Sequence, residues 1–238
     1  MLRGGGHPKL APGRSFQKGF TLAEVLITLG LIGIVAAMTL PSLVNNARNK
    51  QLEAALKKNY SVLSQALEMY QAETGERFKP VEPVVDTKKI LMKYLNVIQD
   101  CGRGTGDADK ACIPNFGDGD ERNSKLYKNY NATNPVNLTI IDDGQFVVND
   151  SALWLMNASG AYITIDVNGY NKNPNRSGHD LFMFEIDENG KLLPMGAKGT
   201  RYADENLYCS LTSRYETNGY GCTFKALTDK TYFKNLPK

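Results

Sequence analysis

Apolar positions are distributed very unevenly along this chain. From Phe20 to Leu40 it reads FTLAEVLITLGLIGIVAAMTL, twenty-one residues in which Glu24 is the single ionisable side chain. A run with no polar face predicts a helix in apolar surroundings on every side. At 1.5 Å per residue it extends about 30 Å, the thickness of a bilayer's hydrocarbon core. Beyond it the pattern changes. Leu52, Leu56, Tyr60, Leu63, Leu67 and Tyr70 recur every three or four residues, while Arg48, Lys50, Lys57, Lys58, Gln65 and Glu68 fall mostly on other faces. That spacing predicts an amphipathic continuation of the same helix. Pro41 removes a helical hydrogen bond and predicts a kink. Glu73-Thr74-Gly75 supplies a stop, because glycine tolerates the left-handed conformation that closes helices. One long helix over 20–75 follows, membrane-spanning over 20–40 and striped thereafter.

Residues 76–238 have a different texture. Val136–Ile141 and Gln145–Val148 flank Asp142-Asp143-Gly144, Ala161–Val167 ends at Asn168-Gly169, and Leu181–Asp187 and Lys191–Met195 flank Glu188-Asn189-Gly190. Short apolar runs punctuated by such turns predict hairpins. The fold class expected is α+β, a long N-terminal helix packed by its amphipathic half on a small antiparallel sheet that forms a globular head over 76–238.

Composition narrows the function classes. With 42% apolar and 22% charged residues the chain buries a core, and its 28 basic against 25 acidic residues leave +3. Arg3, Lys9, Arg14 and Lys18 stand in the first nineteen positions without an acid. Without them the balance is 24 against 25, so bulk charge gives nucleic-acid binding no support. The same four basic residues ahead of the apolar run orient the N-terminus to the cytoplasm and everything after about residue 42 outside. A secretory signal is the competing reading, with Val35-Ala36-Ala37 as a cleavage site. Its apolar stretch ordinarily runs about 7 to 15 residues, and a carboxylate at mid-membrane costs about 2.5–3.5 kcal/mol.

Lys18-Gly19-Phe20-Thr21-Leu22-Ala23-Glu24-Val25-Leu26, followed by the apolar run and Pro41, resembles the prepilin processing motif of type IV pilins and type II secretion pseudopilins. The resemblance covers roughly residues 14–45. It implies that residues 1–19 are a cytoplasmic leader, that a membrane-embedded prepilin peptidase cuts after Gly19, and that the new amino terminus on Phe20 is N-methylated. It further implies that Glu24 serves assembly with other pilin or pseudopilin subunits. Physically, a carboxylate one turn from a neighbouring subunit's new ammonium has a partner in surroundings where an unpaired charge is expensive.

Cys101, Cys112, Cys209 and Cys222 lie in the part expected outside the cytoplasm, which favours disulfides. Local pairing of Cys101 with Cys112 and of Cys209 with Cys222 closes loops of about a dozen residues, each worth about 3 kcal/mol in the chain-entropy picture. Three connectivities are open on sequence alone. Zinc is the competing use, without Cys-x-x-Cys spacing or a nearby histidine to support it.

Between Asp166 and Asp180 the chain gathers oxygen ligands, and pseudopilins similar to this chain can carry calcium in a head loop. Asp166, Asn168 and Asp180 are the candidate ligands, although the spacing is not that of an EF-hand. A plain tight loop uses the same residue types. His179 is expected to be a solvated loop histidine, since no Gly-x-Ser-x-Gly elbow accompanies it. Lys225, Lys230, Lys234 and Lys238 with Phe224, Tyr232 and Phe233 read either as a nucleic-acid-touching tail or as a merely soluble one.

Together these readings imply a non-enzymatic, membrane-inserted filament subunit, a minor pilin or pseudopilin of the bacterial inner membrane. It would meet lipid before assembly and an inner-membrane assembly platform during it. The competing class is a monomeric, signal-anchored or secreted cell-surface binding protein or enzyme.

Overall fold

The computed structural model describes residues 19–81, 83–104, 110–113 and 126–237; residues 1–18, most of the expected leader, lie outside the described residues. Two compact units divide the chain at Asn45, one over Met1–Asn45 and the other over Asn46–Lys238. Helix α1 runs over Leu22–Thr74, 53 residues, and continues through Pro41. It closes where expected. Gly75 has φ +77° and donates its N–H to Gln71 O at 2.9 Å, a backbone conformation that a β-carbon would strain.

In the unit before Asn46, the large apolar side chains of α1 from Leu22 to Val44 point into solvent, Leu22 at 78% exposure and Met38 at 75%. A helix that leaves so much apolar surface open is stable where its surroundings are themselves apolar. The segment is long and apolar enough to cross a membrane.

The unit from Asn46 onward is built around a six-stranded antiparallel meander in the order β1 to β6. Its strands are β1 (Val97–Asp100), β2 (Gly144–Val148), β3 (Leu153–Met156), β4 (Tyr162–Asp166), β5 (Leu181–Ile186) and β6 (Leu192–Pro194). Helix α2 (Val84–Lys93) precedes the sheet. Two short helices, α3 (Glu205–Tyr208) and α4 (Cys222–Thr228), follow it. The architecture is α+β, as the alternation of long helix and short apolar runs predicts.

Both faces of the sheet are buried over its central strands β2 to β5. Phe146, Trp154, Ile163, Ile165, Phe182 and Phe184 pack with Leu52, Leu56, Leu63 and Leu67 of α1. The residues between them, such as Val147, Leu153, Leu155, Leu181 and Met183, pack on the other side with Tyr127, Ile141 and Tyr220. Strands covered on both sides read as continuous apolar runs, and LWLM of β3 is one.

One strand expectation fails in the head. Val136–Ile141 is no strand; Leu138–Ile140 is a 3₁₀ turn. Asn137 decides this, because its side-chain oxygen accepts from Thr139 N at 3.1 Å and from Thr139 Oγ1 at 2.6 Å, and a local side-chain acceptor competes with a strand ladder.

A polar residue interrupts the buried stripe of α1. Asn59, 1% exposed, accepts from Trp154 Nε1 at 3.3 Å and donates to Ala55 O at 3.0 Å. Beside it Lys58 pairs with Asp150 at 2.9 Å. Asn59 therefore fixes the register of helix against sheet. Replacing it by leucine strands the indole N–H, and urea unfolding of the full chain in detergent is expected to show about 1–3 kcal/mol of lost head stability; an unchanged midpoint would mean that the indole had found another acceptor.

Candidate functional site

The residues that the sequence singles out for processing and assembly gather at the start of α1. Gly19 and Phe20 precede the helix, and the Phe20 side chain is 89% exposed. Thr21 is the cap. Its Oγ1 accepts from Glu24 N at 3.2 Å, while Glu24 Oε2 accepts from Thr21 N at 2.9 Å and from Thr21 Oγ1 at 2.8 Å. This is a reciprocal capping box, threonine at the cap and glutamate three residues on. Val25 N donates to Thr21 O at 3.2 Å and closes the first turn.

The box gives Glu24 a place within its own subunit. A carboxylate in the first turn satisfies orphaned N–H groups and lies at the positive end of the helix dipole. Only Oε2 is engaged, and Oε1 accepts no hydrogen bond among the described residues. The carboxylate is thus held in the first turn with one oxygen open to a further donor. Thr21 was not singled out in the sequence, although the T-x-x-E spacing of a capping box carried the signal.

The remaining hydroxyls of the apolar stretch are satisfied inside the helix. Thr28 Oγ1 donates to Glu24 O at 2.9 Å and Thr39 Oγ1 to Val35 O at 2.9 Å. A hydroxyl bonded back to its own helix carries no unmet donor into apolar surroundings.

In the head, Cys101 is bonded to Cys112 and Cys209 to Cys222. All four sulfurs are consumed, which removes the zinc alternative, and no free cysteine stands among the described residues.

The loop between β4 and β5 is more than a solvated turn. Asp166 and Asp180 are fully buried. Asp166 Oδ1 accepts from Asn168 N at 3.2 Å and Gly169 N at 2.9 Å, and its Oδ2 accepts from Tyr127 Oη at 2.6 Å. Asp180 Oδ2 accepts from Asn175 N at 2.8 Å and its Oδ1 from Arg176 N at 2.7 Å. Gly169 sits at φ +83° with room for no side chain, since a β-carbon there would fall 2.4 Å from Ser151 O. Burial pushes both carboxyls up, Asp166 to about 6 and Asp180 to about 8, the latter helped by the negative charge of Asp166. Asp166, Asn168 and Asp180 do come together in this loop, with both carboxylates already committed to protein donors. No group of three or more His, Cys, Asp or Glu forms a metal cluster among the described residues.

His179 departs from expectation. It is buried, 5% exposed, with Nε2 3.3 Å from Tyr130 O and its ring 5.5 Å from that of Tyr130. Burial, reinforced by the Arg176 cation, pushes its pKa down to about 3, so the ring is neutral. Asp180 faces backbone N–H groups and not the imidazole, which leaves His179 without the carboxylate of a triad. At the C-terminus Tyr232 and Phe233 are core residues, 4% exposed each. They are unavailable for base stacking, and Lys225 pairs with Glu205.

No curated protein and no solved structure matches the chain. Residues 14–40 match the family described as the prokaryotic N-terminal methylation motif, and their span holds Gly19, Phe20 and the capped Glu24 of α1, so the chain carries a prepilin-type N-terminus.

Proposed function

We propose that the protein is a structural subunit, a minor pilin or pseudopilin, of a type IV pilus or type II secretion-class filament. The observation that carries this reading is the coincidence of the methylation motif over 14–40 with a membrane-length apolar helix whose first turn presents Glu24. In this reading a prepilin peptidase cuts after Gly19 and the new amine of Phe20 is methylated. The leader faces the cytoplasm, residues 20–40 wait in the membrane, and the head lies outside.

Assembly is the mechanism. Glu24 keeps Oε2 on its own cap and offers its open Oε1 to the ammonium of a neighbouring Phe20. Neighbouring helices replace lipid around the apolar half, and packing and charge pairing take over from the bilayer. Because that exchange starts from a stably inserted helix, it requires an assembly motor in the inner-membrane platform.

Mass spectrometry of the mature N-terminus tests the reading. The expected result is an N-methylated phenylalanine at position 20. A terminus at Met38 would show a secreted soluble protein, and an intact Met1 a plain membrane anchor; either overturns the proposal and leaves a monomeric surface protein.

A further inference from the structure

The unit from Asn46 onward carries a cleft of about 300 Å³ formed by one face of α1 and the C-terminal turn, lined by Asn46, Asn49, Lys50, Glu53, Phe233 and Lys234. It is a built feature. Asn49 Nδ2 donates to Phe233 O at 2.8 Å and ties the C-terminal turn to the helix, and the Phe233 ring is anchored in the core. Lys50 and Lys234 are exposed and neither has an ion pair among the described residues. The one acid in the cleft, Glu53, is held by Lys57. Arg48 lies on the next position but one of the same helix, and the largely buried Arg176 donates from Nη1 to Pro237 O of the same C-terminal segment. Its Nε and Nη2 are buried without a hydrogen-bond partner among the described residues. Lys50 and Lys234, with Glu53 taken by Lys57, leave the cleft cationic.

Its position along the chain decides the partner. Six helical residues carry α1 from Leu40, the end of its membrane-spanning run, to Asn46, a rise of about 9 Å. Chain connectivity alone therefore places Asn46, which lines the cleft, at the level of the phospholipid headgroups once residues 20–40 are inserted. At that depth the anion present at high density is the phospholipid phosphate, and juxtamembrane lysines gain from anionic headgroups.

We propose that this cleft binds the headgroup of an anionic phospholipid, the phosphate lying between the ammonium groups of Lys50 and Lys234 with the amides of Asn46 and Asn49 as further polar partners. The site would hold the head against the bilayer before assembly and be vacated on extraction. The inference rests on membrane insertion of the apolar helix, and on no other part of the functional reading.

The full chain in detergent, offered phosphatidylglycerol and phosphatidylcholine in equal amounts, is examined by native mass spectrometry. Wild-type protein is expected to retain phosphatidylglycerol over phosphatidylcholine by about tenfold or more, since each lysine near an anionic headgroup contributes several-fold. The pair Lys50→Glu with Lys234→Glu is expected to abolish the preference, Lys50→Gln with Lys234→Gln to reduce it, and Lys198→Glu, an exposed charge elsewhere on the head, to leave it intact. A preference that survives the double reversal, or is absent from wild type, overturns the proposal. So does loss of the lipid to millimolar inorganic phosphate, which would mark a free-anion site. Carbonate extraction of membranes from cells making the same proteins reads insertion separately. A wild-type chain released by carbonate would sink the membrane reading itself, whereas retained chains without a lipid preference would sink the cleft alone.

Discussion

Glu24→Gln is expected to leave membrane insertion and cleavage after Gly19 intact and to reduce recovery in sheared filaments to background. The capping box makes this substitution more informative than Glu24→Ala. An amide oxygen can still accept from Thr21 N, so glutamine preserves the cap contact seen at 2.9 Å and removes only the charge. If Glu24 served chiefly as a helix cap, glutamine would be tolerated and alanine would cost a few tenths to about 2 kcal/mol of helix stability. If it neutralises a neighbour's ammonium inside an apolar bundle, glutamine and alanine fail alike, because an unpaired charge in that setting costs about 3–5 kcal/mol, a factor of a hundred or more per subunit added. Thr21→Val separates the roles from the other side. It removes the hydroxyl that bonds Oε2 but not the charge, and incorporation is expected to fall far less than for Glu24→Gln. The measurement is the ratio of chain in the sheared fraction to chain in the membrane fraction, with the mature N-terminus checked in both. Normal incorporation of Glu24→Gln would reduce Glu24 to a capping residue.

The N-terminal methylation motif was readable because it is local. Gly19, Phe20, Glu24 and the apolar run lie within about two dozen consecutive residues, so no tertiary contact is needed to bring them together. The amphipathic half of α1 was legible for the same reason. Its buried positions Leu52, Leu56, Leu63 and Leu67 follow the helical period, and Asn59 escaped notice because it occupies a core position with a polar side chain.

The head was legible only in part, and physics explains which part. Turn chemistry announces β5 and β6, where Gly190 at φ +73° and Asp187 Oδ1 accepting from Lys191 N close the hairpin. Strand β3 carries no such signal. Its four residues are buried on both faces, and LWLM has neither alternation nor flanking glycine. Val136–Ile141 misled because its β-branched, apolar content outweighed a single asparagine, yet that asparagine's side chain makes the turn. His179 and Asp180 misled most. Adjacent to glycine, asparagine and proline, they look like loop tip residues, and only the packing of Tyr130, Tyr127 and β4 around them takes them out of water.

That buried polar knot gives the second large effect, a head that loses stability as pH rises. Asp166 and Asp180 share one site and both are protonated more readily in the folded head than in the unfolded chain, where each would titrate near 3.9. A carboxyl whose folded pKa is raised contributes fully below its unfolded pKa and is lost as pH climbs through its folded pKa. The window is therefore from about pH 4 through the values near 6 and 8. His179 acts in the opposite sense. Its pKa is lowered from 6.5 to about 3, so its contribution is present above pH 6.5 and fades below it. Lys172 and Arg176 attract the two carboxylates, and Tyr127, pushed well up by burial, stays neutral across this range. Between pH 6 and pH 8 the folded head gives up protons from Asp180 and Asp166 while the unfolded chain gives up one from its imidazole; the carboxyls outweigh the imidazole, and thermal or urea unfolding of the full chain in detergent is expected to show a stability loss on the order of 2 kcal/mol. Asp180→Asn fixes the neutral state at one member of the pair. It lowers stability at pH 6 by about 1–3 kcal/mol, because its amide nitrogen cannot accept from a backbone N–H, and it flattens the decline towards pH 8. Parallel profiles for the wild type and Asp180→Asn would show that the carboxyls are ionised in the fold at all these pH values and are held there by their backbone donors.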